Sequence, residues 1–326
     1  MLLTQEQLLS CLHGSLKPHI TPLGMEPRRF TDSQFAYRTT EGQFSRMRAP
    51  VGVSFDFNSN ATFLEFEYHL TYIHCRNWVG FDCYVNGNLC HRFYEEPITQ
   101  QEGKVRFEFA TSDEKHIAVY FPISVPLAVK KLTLSPHATL TPSPKKPKQV
   151  LMFGDSILQG MNARFSSLCL PVLLSQHWNC DILPQAMGGG SFDEHVIDEN
   201  LPYTPDVIVI MFGCNDWYTF AKTNEEITEN ARAFAEKLDA LYPDIPRYFI
   251  SPIWSATWQK SRREGMCPYG EVHDYIQKGI ASMKNTTLLR GFDLCPHHSS
   301  FLADGVHPNE LGFQYYANQI AKAIQL

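Results

Sequence analysis

The apolar pattern of this chain changes period once, between about residues 135 and 149, and that change limits the fold more than any other feature. Before it, "VGVSFDF", "TFLEFEYHL", "GFDCYVNG", "KVRFEFA", "HIAVYFP" and "VKKLTLS" alternate or concentrate Val, Phe and Tyr. Both are marks of strands, whose successive side chains face opposite sides of a sheet. Asn86-Gly87 lies between two of these runs and suits a type I′ hairpin turn. Short strands spaced by turns, with no long helical pattern, predict an all-β sandwich of jelly-roll type. "SPHATLTPSPKKPKQ" then interrupts with Pro, Ser and Lys, the composition of an interdomain linker.

Beyond the linker, compact apolar runs alternate with helical periodicity. "QVLMF" (149–153), "CDILPQ" (180–185), "DVIVIMF" (206–212), "RYFIS" (247–251) and "TLLRG" (287–291) read as strands. Between them, Ile227, Ala231, Phe234, Leu238 and Leu241 recur at helical spacing over 224–242, with Asn224 as the expected N-cap. Further helices are expected over 271–283 and 309–324. Strand–helix alternation predicts βαβ units, and so a parallel sheet covered by helices on both faces. The expected organisation is a β-sandwich domain with a short leading helix over 1–135, a linker over 136–148 and an α/β domain over 149–326.

Charge and cysteine usage narrow the partners. The net charge is −6 with no basic stripe, whereas a nucleic-acid binder needs clustered Lys and Arg. No apolar run approaches the ~20 residues that span a bilayer, and "MLLTQEQLLSCLHG" reads as an amphipathic helix rather than a secretory leader. Neither a nucleic-acid nor a membrane partner is therefore expected, and the oligomeric state is left open. Nine cysteines are scattered without a C-x-x-C pair, which points to a reducing compartment, the cytoplasm, rather than to a disulfide or zinc framework.

Chemistry gathers where strands end. "FGDSIL" follows the first strand of the α/β half. It is not a G-x-S-x-G nucleophile elbow, because Leu158 stands where the second glycine belongs. Read alone, Ser156 is either the cap of a following helix or a nucleophile. Three more loops bear on the choice: Gly188-Gly189-Gly190 after the second strand, Gly213-Cys214-Asn215-Asp216 after the third, and Asp304-Gly305-Val306-His307 before the last helix. An attacking serine needs a base, which His307 supplies, and an orienting carboxylate, which Asp304 supplies. The oxyanion of a tetrahedral intermediate needs donors: the Ser156 N–H, the Asn215 amide and a glycine N–H. Gly190 is the preferred glycine and Gly189 the second choice. Asp155 and Asp216 read as structural, tying loops to nearby N–H groups.

These blocks resemble the SGNH (GDSL-type) hydrolase family over about Gln149 to Leu326. "FGDSIL" is similar to its first block, "GCNDW" to its G-x-N-D block and "DGVHPNELGF" to its D-x-x-H-P block. "QAMGGGSF" is the least similar, lacking the frequent upstream Asn. The resemblance implies a flavodoxin-like three-layer α/β/α fold and ester hydrolysis without a cofactor. Ser156, Gly190, Asn215 and His307 would carry the family roles, with Asp304 completing a triad. A β-sandwich ahead of such a domain is similar to some carbohydrate esterases. The expected activity is thus a serine esterase acting on a small acyl ester, an O-acetyl group on a carbohydrate. The alternatives are a lipid or thioester acylhydrolase, or a non-catalytic sugar-binding protein working through its sandwich. Trp217 and Trp254 follow strand ends, where they suit a sugar platform, an acyl-pocket wall or the core. His297-His298 lack the further convergent ligands a metal needs, and His74-Cys75 read as ordinary residues of the β-rich half.

Overall fold

A computed structural model describes residues 1–37, 40–73 and 76–326; His74 and Cys75 lie outside them. The chain forms two compact units. The first comprises Met1–Phe30, Thr40–Lys146 and Arg164–Ser167, and the second Thr31–Thr39, Pro147–Ala163 and Leu168–Leu326. Each unit thus takes a short segment from the other half of the chain.

The first unit holds two antiparallel sheets. One runs Leu12–His13, Ser54–Ser59, Lys115–Tyr120, Val79–Val85, Asn88–Glu95, with Thr141–Pro142 of the linker-like stretch paired to the second of these strands. The other runs Leu16–Thr21, Gly24–Arg28, Leu127–Leu134, Phe63–Leu70, Glu102–Glu108. Alternation sets which faces meet. In Phe63–Leu70, Leu64, Phe66, Tyr68 and Leu70 are buried while Glu65 and Glu67 are not. With Phe55, Phe57, Phe81 and Phe121 they build one aromatic core, and each buried ring contributes about 2–3 kcal/mol. Asn86 and Gly87 take φ of +51° and +79°, as the hairpin reading requires. Two short helices, Asp32–Tyr37 in the second unit and Glu41–Arg48 in this one, were not expected. At six and eight residues they are too short to display a helical period.

The second unit is built on a parallel sheet of β1 (Gln149–Gly154), β2 (Asp181–Ala186), β3 (Val207–Met211), β4 (Arg247–Ile250) and β5 (Thr286–Leu289). The order β2-β1-β3-β4-β5 is flavodoxin-like, and helices complete an α/β/α sandwich. Every residue of β2 and β3 is buried, the pattern of strands covered on both faces. The 18-residue helix Asn224–Leu241 presents Ile227, Ala231, Phe234 and Leu238 inward. Its N-cap is Thr223 rather than Asn224. Thr223 and Glu226 form a reciprocal capping box, whereas Asn224 turns away to bond the Cys267 N–H and the Tyr275 hydroxyl. Among the described residues no helix is long and apolar enough to cross a membrane. Strand order reverses direction at β1 and β3, and in such sheets the crevice lies at their carboxyl ends.

Candidate active site

Gly154 ends β1 because nothing larger fits: a Cβ there would lie 2.7 Å from the Leu158 side chain. Asp155 follows, buried, and its Oδ1 accepts the Ile157 N–H at 2.8 Å. Residues 156–162 form successive turns, not a helix, so Ser156 caps nothing. Gly160 and Asn162, with φ of +78° and +74°, prevent helical continuation. The Ser156 N–H makes no hydrogen bond among the described residues.

Burial, reinforced by the Asp216 charge and opposed by the Ile157 N–H, pushes the Asp155 carboxyl up to about 7. An unfolded aspartate titrates near 3.9, so the folded protein holds the extra proton between about pH 4 and 7. Stability from this group therefore falls as pH rises through that window, by about 4 kcal/mol in all. Asp155→Asn removes the titration. The melting temperature of the variant relative to wild type is expected to climb from pH 4.5 to pH 7.5; a flat difference would mean that Asp155 is already ionised at pH 4.5.

His307 Nε2 lies 2.8 Å from Ser156 Oγ, across 151 positions of sequence. Its Nδ1 lies 2.8 Å from Asp304 Oδ2. Asp304 reaches back because Gly305 takes φ of +85°, a region that favours glycine. Asp304 Oδ1 accepts the N–H groups of His307 (2.8 Å) and Val306 (3.1 Å). Burial opposes ionisation of Asp304, but these bonds and the His307 charge outweigh it and hold the carboxyl down to about 2. An ionised carboxylate can only accept, so the proton of neutral His307 sits on Nδ1. The Nε2 lone pair then faces the Ser156 hydroxyl.

Asn215 is the second residue of the short helix Cys214–Tyr218 after β3. Its Oδ1 accepts the Thr219 hydroxyl at 2.7 Å and one amide hydrogen goes to Gly190 O at 3.0 Å, which leaves the second amide hydrogen for a ligand. The Gly190 N–H, expected as an oxyanion donor, closes a turn on Met187 O at 2.8 Å. That turn needs Gly189 at φ +82°, and a Cβ on Gly190 would lie 2.9 Å from Met187 O. Gly189 N–H makes no hydrogen bond among the described residues. Buried Asp216 ties the two loops together by accepting from Gly213 N–H (3.1 Å), Phe192 N–H (3.3 Å) and Lys222 Nζ (2.7 Å). Burial raises its carboxyl above the usual range, with Lys222 opposing. The structural readings of Asp155 and Asp216 hold.

Trp217 is fully buried, and its indole N–H is spent on Cys267 O at 2.9 Å. It packs on Tyr218 and Tyr269, so of the three readings given for it the structure places it in the core. Trp254 is half-buried and stacks on His297 with 5.9 Å between ring centres. Sequence reasoning missed Asn162, which bonds Asp304 Oδ2 at 2.8 Å, and Lys222. Neither lies in a recognisable block, and Lys222 is six positions from its carboxylate partner.

The GDSL-like lipase/acylhydrolase family model matches residues 152–315, half of the chain and all of the site described above. The chain belongs to that family. Solved structures of similar fold match most of the chain's length. A salicylyl-acyltransferase from a tetracycline biosynthetic pathway is 16% identical, with TM-score 0.81 over 95% of this chain and 92% of its own. A Bacteroides ovatus protein described as a GDSL-like lipase is 18% identical, with TM-score 0.81 over 99% and 96%. A family two carbohydrate esterase from Clostridium thermocellum, in complex with cellohexaose, is 15% identical, with TM-score 0.65 over 85% and 92%. At these identities the likeness is one of fold. No curated protein matches the chain.

Proposed function

We propose that this GDSL-family protein is a serine esterase that removes O-acetyl groups from a carbohydrate through an acyl-enzyme on Ser156. The observation that carries the reading is His307, whose two ring nitrogens lie 2.8 Å from Ser156 Oγ and 2.8 Å from Asp304 Oδ2. His307 Nε2 takes the hydroxyl proton as Ser156 Oγ attacks the ester carbonyl, and Asp304 stabilises the imidazolium. The Ser156 N–H and the free Asn215 amide hydrogen hold the oxyanion. Gly190 joins them only as a shared donor, since Met187 O already takes its N–H. The sugar alcohol leaves with the proton from His307. Water, deprotonated by the same ring, then releases acetate and restores the Ser156 hydroxyl. Partly exposed Trp254 is the remaining tryptophan candidate for a sugar contact. The carbohydrate part of the reading draws on the esterase neighbour bound to cellohexaose. A cytoplasmic site of action draws on the eight free cysteines among the described residues.

Nitrophenyl esters from acetate to octanoate test the substrate class. Acetate is expected to have the highest kcat/KM, by about tenfold over octanoate, since one misfit methylene already costs about 1–3 kcal/mol. A large preference for octanoate would replace the deacetylase reading with that of a lipid acylhydrolase.

A further inference from the structure

The loop that carries Ser156 also carries Asn162, which the chemistry above does not use. Met161 N–H donates to Ser156 O and Ala163 N–H to Gly160 O, both at 2.9 Å, so the loop folds back on itself. Asn162 then sits at φ +74°, a region that asparagine tolerates better than most residues. From there its Nδ2 donates to Asp304 Oδ2 at 2.8 Å, across 142 positions of sequence. The same oxygen faces His307 Nδ1. The nucleophile loop and the histidine loop are thus tied twice, by Ser156 to His307 and by Asn162 to Asp304.

We propose that Asn162 is a positioning residue: its amide fixes the Asp304 carboxylate toward His307 and moderates how strongly that carboxylate holds the imidazolium. The inference rests on the reading of Ser156 as nucleophile. The Asp304 side chain is 43% exposed, and a carboxylate so open to water turns freely unless it is tethered. Oδ1 is held by two backbone N–H groups and Oδ2 by the His307 ring and Asn162. Without the Asn162 amide, Oδ2 keeps one donor and gains basicity, so a proton on His307 is bound more tightly. His307 must present an empty Nε2 to accept the Ser156 proton. Activity is therefore lost first at acidic pH, and the acid limb of the rate profile moves upward.

Asn162→Gly retains the left-handed backbone without strain and removes the amide. Asn162→Asp retains the shape and places a second negative charge against Asp304. Both are compared with wild type and Ser156→Ala in kcat/KM for nitrophenyl acetate between pH 5 and 9. Asn162→Gly is expected to lose about tenfold at pH 6, the scale of a hydrogen bond to a charged group, and less at pH 8. Its acid limb should lie at higher pH, and that of Asn162→Asp higher still, with melting temperatures near wild type. A profile of Asn162→Gly that coincides with wild type overturns the inference, as does a uniform loss with an unmoved limb and a lower melting temperature. Full activity in Ser156→Ala would instead remove the nucleophile reading beneath it.

Discussion

Ser156→Ala is expected to lower kcat/KM for nitrophenyl acetate by about 10⁴-fold or more. The Oγ atom is the nucleophile in the proposed path, and its polar partner in the structure is His307. Removing it leaves the Ser156 N–H and the Asn215 amide in place, so the variant should still bind ester and polarise its carbonyl. Residual activity should therefore exceed that of water alone. The substitution deletes one half-buried oxygen at a turn whose geometry is held by Asp155, Met161 and Gln159 through other atoms. The melting temperature should accordingly stay within a few degrees of wild type. A serine-directed phosphonate should label wild type at Ser156 and leave the variant unmodified. If the variant kept more than a tenth of wild-type activity, the acyl-enzyme would have to form elsewhere.

Asn215→Ala should cost about 10²–10³-fold in kcat with little change in KM, the usual effect of losing one preorganised oxyanion donor. The amide is held from two sides, by the Thr219 hydroxyl on Oδ1 and Gly190 O on Nδ2. Its free hydrogen therefore needs no reorganisation as negative charge develops on the substrate. Asn215→Asp adds an electrostatic test. It keeps the shape and the Thr219 bond, but it loses the bond to Gly190 O and replaces a donor with a charge that repels the oxyanion, so it should be at least as inactive as the alanine variant. A kcat for Asn215→Asp within about threefold of wild type would mean that Asn215 only shapes its loop.

The sheet of the second unit was readable because each strand is a short continuous apolar run. Burial on both faces leaves such a strand no polar side, and "DVIVIMF" records this directly in β3. The aromatic alternation in Phe63–Leu70 was equally direct, since one face is buried and the other is not. Asn86-Gly87 was readable because few residue pairs accept positive φ twice in succession. The helices Asp32–Tyr37 and Glu41–Arg48 were not, because so short a segment shows no period.

The candidate residues could be listed from residue type and from position after strands, and the alternation of strands and helices implies a parallel sheet; the flavodoxin-like strand order came only with the family resemblance and is seen in the structure. Which donors remain unspent could not be listed. Gly190 N–H is consumed by Met187 O, and Trp217 lies in the core with its indole bonded to Cys267. Asn162 meets Asp304 across 142 positions with no motif to mark it. Periodicity and turn chemistry are local, so they are written into neighbouring residues. A hydrogen bond between distant loops depends on backbone angles such as those at Gly160, Asn162 and Gly305, and on which groups burial brings within reach, and these are settled only when the whole chain packs.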